Sequence, residues 1–244
     1  MLGRFVAVAV GAAVGVIFAA PDEKPDVIGE RIVNAFLASE PPVKTLTSAD
    51  VSLWVNALDF ANRHTVASGD KVVARYVECF DEALDDIVPA PKGLDGAFFG
   101  ALPFTLSLRK VDAGRLMLGE RHLAALPDLF RQPQAENACR HALLLMRAGD
   151  AKKDVKCYDR ARNDICRLAR MLQRKDGLFS SSPAGRVARA RGIGSLALAL
   201  GYVRAYIPRL DPNEEFLRTA PADLAAALEP LHRKNGLWGQ VVDD

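Results

Sequence analysis

The sequence predicts an all-α fold of stacked αα-hairpins, either an open solenoid or a closed α/α toroid. Three observations carry this. Nearly every periodic segment repeats its apolar residues at helical spacing, and no stretch shows the strict alternation of a half-buried strand. Short breaks separate these segments along the whole length, as helix pairs require. A phrase that reads as a helix stop occurs twice: Arg174-Lys175-Asp176-Gly177-Leu178-Phe179 returns 59 residues later as Arg233-Lys234-Asn235-Gly236-Leu237-Trp238.

The elements follow in order. Asp26 to Leu37 carries Val27, Ile28, Ile32, Val33, Phe36 and Leu37 on one helix face. Thr47-Ser48-Ala49-Asp50 offers cap residues for a second helix, which holds Val51, Trp54, Val55, Leu58 and Phe60. Asp70 to Val88 is a third, and Pro89-Ala90-Pro91-Lys92-Gly93 breaks the chain after it. Gly96–Leu108, Arg115–Leu126, Gln134–Met146, Asp154–Gln173, Arg189–Ile207 and Pro212–Leu231 complete nine helices. In each copy of the repeated phrase, basic residues sit near the negative end of the preceding helix. Asp or Asn then leads into a Gly that tolerates φ > 0, and an apolar residue folds back. Each corner ends on an aromatic, Phe179 or Trp238, and an aromatic on a corner can serve as a ligand platform.

The N-terminus reads as an export signal over residues 1–20. Met1-Leu2-Gly3-Arg4 is a short basic start, and Phe5 to Ala20 is a run of apolar and small residues. That run is short for a bilayer, which needs about 20 apolar residues. Cleavage near Ala19 or Ala20 is expected, with a secreted or periplasmic product; an uncleaved membrane anchor is the alternative. Residues 21–244 then form one domain. Half of the chain is hydrophobic, which is ample for a core.

Total charge is nearly balanced, but its distribution is not. From Lys152 to Arg191 twelve Lys/Arg stand against four Asp. A solvated helix face is the plain explanation. A surface for a polyanion such as an acidic polysaccharide is the sharper one. No nucleic-acid signature accompanies it, so nucleic acid is not an expected partner. The cysteines, Cys79, Cys139, Cys157 and Cys166, lack metal-ligand spacing, and no metal or other cofactor is expected. Cys157 and Cys166 fall on opposite faces of one helix and cannot pair with each other. Buried thiols are expected; a Cys79–Cys139 bridge is open to an exported protein. His64, His122, His141 and His232 form no triad or metal pattern and are taken as structural.

Five places could carry chemistry. Trp54 is a core residue or a site wall. Asp95 follows a Pro/Gly break and precedes Gly96-Ala97-Phe98-Phe99-Gly100. It is a helix cap, or a carboxyl among aromatics, where desolvation suits it to general-acid work. Arg191, in Arg191-Gly192-Ile193-Gly194, is a surface residue on a loosened turn or a two-pronged clamp for a carboxylate. The Phe179 and Trp238 corners complete the set.

Taken in order, these places resemble the unsaturated glucuronyl and rhamnogalacturonyl hydrolases, glycoside hydrolase families 88 and 105. The likeness runs through Leu53-Trp54-Val55-Asn56-Ala57-Leu58 and Leu94-Asp95-Gly96-Ala97-Phe98-Phe99-Gly100-Ala101-Leu102-Pro103. It continues through Arg147-Ala148-Gly149-Asp150, Tyr158-Asp159-Arg160-Ala161, Asp176-Gly177-Leu178-Phe179, Ala190-Arg191-Gly192-Ile193-Gly194 and Asn235-Gly236-Leu237-Trp238-Gly239-Gln240-Val241-Val242-Asp243-Asp244. The resemblance implies an (α/α)6 barrel acting on an oligosaccharide whose terminal uronic acid carries a C4–C5 double bond. In that family an Asp protonates the vinyl ether, water adds at C5, and rearrangement releases the next sugar. By resemblance Asp95 is one active-site aspartate, Trp54 lines the site, and Arg191 is the arginine of an Arg-Gly segment.

The chain departs from the family pattern. Where the second family aspartate is expected stand Arg131-Gln132-Pro133-Gln134-Ala135-Glu136, and Asp128 becomes the substitute acid. Ser181 stands for a family histidine, and Arg189 and Ser195 for two tryptophans. Nine helices leave a twelve-helix ring open, and its exposed apolar edge would call for a second copy as cover. Two other functions therefore stand beside the hydrolase. One is a catalytically dead relative that binds acidic sugars. The other is a helical scaffold for a protein partner.

Overall fold

The computed structural model describes residues 95–108, 112–208, 211–231 and 241–242, with isolated positions at 27, 29–31, 34–35, 55–56 and 74. The expected export segment lies outside these residues, as do most of the three helices expected before residue 90 and the second repeated corner with Trp238. The isolated positions are all helical.

Six α-helices follow: α1 Asp95–Ser107, α2 Ala113–Ala124, α3 Ala138–Lys152, α4 Val155–Leu172, α5 Ala190–Arg204 and α6 Glu214–Leu228. Two 3₁₀ turns, Ala135–Asn137 and Glu229–Leu231, accompany them. The chain is all-α over the described residues. Two isolated antiparallel bridges, Gln173 with Phe179 and Arg189 with Val241, are the extended pairings among them. No described helix is long and apolar enough to cross a membrane.

Local chemistry explains the ends. Asp112 caps α2, its carboxylate accepting from the Arg115 amide at 2.9 Å. Asp154 caps α4, accepting from the Lys156 amide at 3.0 Å. Both leave a first-turn donor satisfied that the helix itself cannot satisfy. The expected helix Gln134–Met146 differs from the observed one at both ends. Ala135–Asn137 is a 3₁₀ turn, and α3 continues through Gly149-Asp150 to Lys152. Tertiary packing extends it: Arg147, Ala148 and Gly149 are all buried. A Cβ at Gly149 would lie 2.6 Å from the Tyr158 ring, so only glycine lets α4 approach here. Lys153 then turns the chain in the left-handed region, φ 56°.

The repeated phrase also differs from a simple helix stop. α4 ends at Leu172, before Arg174. The phrase itself is the tip of a small hairpin, in which the Arg174 amide donates to the Leu178 carbonyl and the Ser180 amide to the Leu172 carbonyl, each at 2.8 Å. Gly177 holds φ +86° at this tip, and a Cβ there would meet the Asp223 carbonyl of α6 at 3.0 Å.

The helices pair as hairpins. Gly149 packs on Tyr158 and His141 bonds Asp164, so α3 and α4 run antiparallel. α1 packs on both α2 and α3, and α3 on both α4 and α5. Helices α3 and α5 are parallel neighbours: Ser195 meets Cys139 at one end, and Tyr206 meets Asp150 at the other. The main core lies between α3, α4, α5 and α6, around Leu145, Ile165, Leu168, Leu196, Leu200, Leu217 and Leu224. A smaller cluster of Ala97, Phe104, Leu144, Ala148 and Cys157 joins α1 to α3 and α4. Cys139, Cys157 and Cys166 are buried free thiols, as expected.

Candidate functional site

The N-terminal ends of α3 and α5 form a rim. Arg191 is in the first turn of α5 and is exposed. Gly192, next to it, lies against the 3₁₀ turn. A Cβ at 192 would sit 3.0 Å from Ala135 Cβ and 3.4 Å from the Glu136 carboxylate. This glycine permits close approach rather than loosening the helix. Ser195 bridges the two helix starts, accepting from the Cys139 amide at 3.1 Å and donating to the Glu136 carbonyl at 2.9 Å. A tryptophan here would have no such role. The Ala135 amide donates to the Ser181 carbonyl, and the Ser181 amide to the Val187 carbonyl, both at 3.0 Å. The Val242 amide donates to the Ala188 carbonyl at 2.8 Å. The tails of both repeated phrases therefore end beside the start of α5.

The expected site residues are placed as follows. Asp95 is the first residue of α1; its side chain lies outside the described residues. Trp54 and Trp238 lie outside them as well. The neighbours of Trp54 are helical, with Val55 fully buried and the Tyr202 hydroxyl of α5 bonded to Asn56 Oδ1. Phe179 is 1% exposed and belongs to the main core. Its ring packs inward, and the residues that reach the rim are those after it. Asp128 is exposed, and its Oδ1 accepts from the Phe130 amide at 2.9 Å, an Asx turn.

Glu136 was not picked out by motif. Its carboxylate lies against the first turn of α5, where the positive end of the helix dipole favours an anion. It stands within the stretch where the resemblance expects the second aspartate. No local pattern marks it, because its neighbour Gly192 is far along the chain. His141 lies one turn into α3, fully buried, with Nε2 2.8 Å from Asp164 Oδ2. Its Nδ1 has no hydrogen-bond partner among the described residues. Among those residues no group of three His, Cys, Asp or Glu is placed to hold a metal ion.

The opposite ends of α3 and α5 carry a closed polar node. Asp150 Oδ1 accepts from the Tyr158 hydroxyl at 2.8 Å and the Tyr206 hydroxyl at 2.9 Å. Its Oδ2 pairs with Arg147 at 2.8 Å, with side chains 12% and 3% exposed. The two tyrosine rings stack with centroids 4.7 Å apart. Burial, then the bond to Asp150, pushes the Tyr158 hydroxyl well above the usual phenol range. The Arg147-Ala148-Gly149-Asp150 and Tyr158 motifs thus meet in one structural joint.

Compared with known proteins, the chain matches no family model and no curated protein.

Proposed function

We propose that this chain is a helical-hairpin hydrolase of unsaturated uronyl oligosaccharides, working by hydration of the C4–C5 vinyl ether. The supporting observation is the rim: an exposed arginine, Arg191, and a carboxylate, Glu136, share the meeting point of α3 and α5. Arg191 is suited to the uronate carboxylate, which it would grip with two parallel donors. Asp95 opens α1, which packs on α3, and is assigned proton donation to C4. Glu136 is assigned to the water that adds at C5; in the proposal it takes over the part first given to Asp128, whose carboxylate is engaged in its own turn. An (α/α)6 toroid of helical hairpins is the architecture that goes with this proposal.

The test is loss of ultraviolet absorbance from unsaturated galacturonyl-rhamnose and unsaturated glucuronyl disaccharides. Decay should vanish in Asp95→Asn and fall about 100-fold or more in Glu136→Gln. Asp128→Asn should leave it unchanged.

A second proposal rests on Phe179. Its ring is in the core, so the aromatic platform of a sugar site is reduced. That favours a catalytically dead protein that still binds acidic sugars through Arg191. A flat absorbance trace with saturable disaccharide binding, lost in Arg191→Ala, would select it. A helical scaffold with neither property would show a stable oligomer or complex in sedimentation instead.

A further inference from the structure

The acids and the cations of the basic segment are placed differently. Each of its four carboxylates has an internal partner. Asp154 caps α4, and Asp159 pairs with Arg162 at 2.6 Å. Asp164 bonds His141 at 2.8 Å, and Asp176 holds Arg174 and the Leu178 amide. The cations are arranged differently. Lys156, Arg160, Arg167 and Arg170 all lie on the exposed stripe of α4, at helical spacings of three, four and seven residues. They span about 20 Å at 1.5 Å per residue. Two are held in place from behind. The Arg167 guanidinium lies 4.1 Å from the Phe130 ring centroid, and Arg170 lies 4.4 Å from Phe216 and bonds Asn213. Stacking of this kind fixes the plane of the fork and leaves donor edges outward. Among the described residues, only Arg160 of the four forms an ion pair, with Asp164 at 3.6 Å, and that carboxylate already serves His141.

We infer that the outward face of α4 is a docking surface for an acidic polysaccharide, separate from the rim at the start of α5. Planar carboxylates repeated along a chain match planar, pre-oriented guanidinium groups. Single-stranded nucleic acid fits less well, because it gains affinity from stacking bases on free aromatic faces. Here Phe130 and Phe216 each have one face covered by an arginine. The chemistry of the partner, a polyuronate, extends the proposed function, but the surface is testable without it.

The experiment is binding of the full chain to fluorescent polygalacturonate oligomers at several salt concentrations. Affinity should fall as salt rises. The triple variant Lys156→Gln/Arg160→Gln/Arg167→Gln should bind about tenfold more weakly, with a shallower salt dependence and an unchanged melting curve. Arg160→Lys/Arg167→Lys keeps the charge and loses the forks, and should weaken binding by a smaller factor. The triple variant should keep whatever loss of ultraviolet absorbance the wild type shows on the unsaturated disaccharides, since none of its three positions lies at the rim, so failure of the rim function and failure of this surface are told apart. Wild-type affinity in the triple variant would overturn the inference. Tighter binding of a single-stranded DNA of equal length would overturn the polyuronate assignment.

Discussion

At the C-terminal ends of α3 and α5 one carboxylate serves three partners, whereas at their N-terminal ends an arginine is left exposed. Asp150 binds Arg147, Tyr158 and Tyr206, and little of it is exposed. Arg191 is exposed and pairs with no described residue, and Glu136 lies beside its turn. The two ends are about 20 Å apart, the length of a 15-residue helix. The joint holds the helices parallel, so the rim can present charge that stability does not need. Motif residues therefore divide by their surroundings: those at 147–158 serve the fold, and those at the start of α5 remain available for a ligand.

The largest expected effect tests the joint. Asp150→Ala leaves a buried arginine without its acid and should cost about 3–5 kcal/mol in urea unfolding. A loss below about 1 kcal/mol would remove the joint from this comparison. Gly149→Ala should cost about 1–3 kcal/mol, because Tyr158 is held by stacking and its hydroxyl bond and cannot yield. In a Tyr158→Ala background that added cost should disappear, which a double-mutant cycle reads directly. Gly177→Ala should cost about 1–2 kcal/mol, since a side chain at φ +86° is strained and faces the Asp223 carbonyl.

Alkaline pH should act at both ends of α3, through Tyr158 in the joint and Cys139 at the start of the helix. The Tyr158 hydroxyl is raised above its ordinary value of 10.0, and burial pushes the Cys139 thiol from 9.0 up to about 12. A group raised in the folded state binds its proton more tightly there than in the unfolded chain. Its contribution is complete below the unfolded value and is lost as pH rises through the folded one. Stability should therefore fall above about pH 9 to 10, and Tyr158→Phe should flatten part of that fall in denaturant titrations. Arg191→Ala should have the smallest effect on stability, within about 0.5 kcal/mol. A larger loss would show that the rim arginine also serves the fold.

Much of the helical framework was legible. Asp154 caps its helix as a residue of its type should, because a cap depends only on neighbours two or three positions away. Gly177 was legible for the same reason, although its phrase proved to be a hairpin tip rather than the end of the helix itself. The end of α3 was not legible: hydrophobic spacing fades after Met146, and only the Tyr158 ring over Gly149 explains the extra turn. Glu136 carried no signal either. Its place beside Gly192, and the Ser195 bridge, join segments more than fifty residues apart.

By itself the sequence determined the all-α class, the positive-φ glycine and the excess of cations along α4. These follow from periodicity, composition and contacts within a few residues. Only the tertiary structure decided that Asp150 is enclosed while Arg191 is exposed, and that Phe179 turns inward. It also decided that the acids of the basic segment are engaged within the chain while Lys156, Arg160, Arg167 and Arg170 are exposed on one stripe of α4. Such outcomes depend on which distant helix packs alongside, and burial is a property of that neighbour, not of the residue.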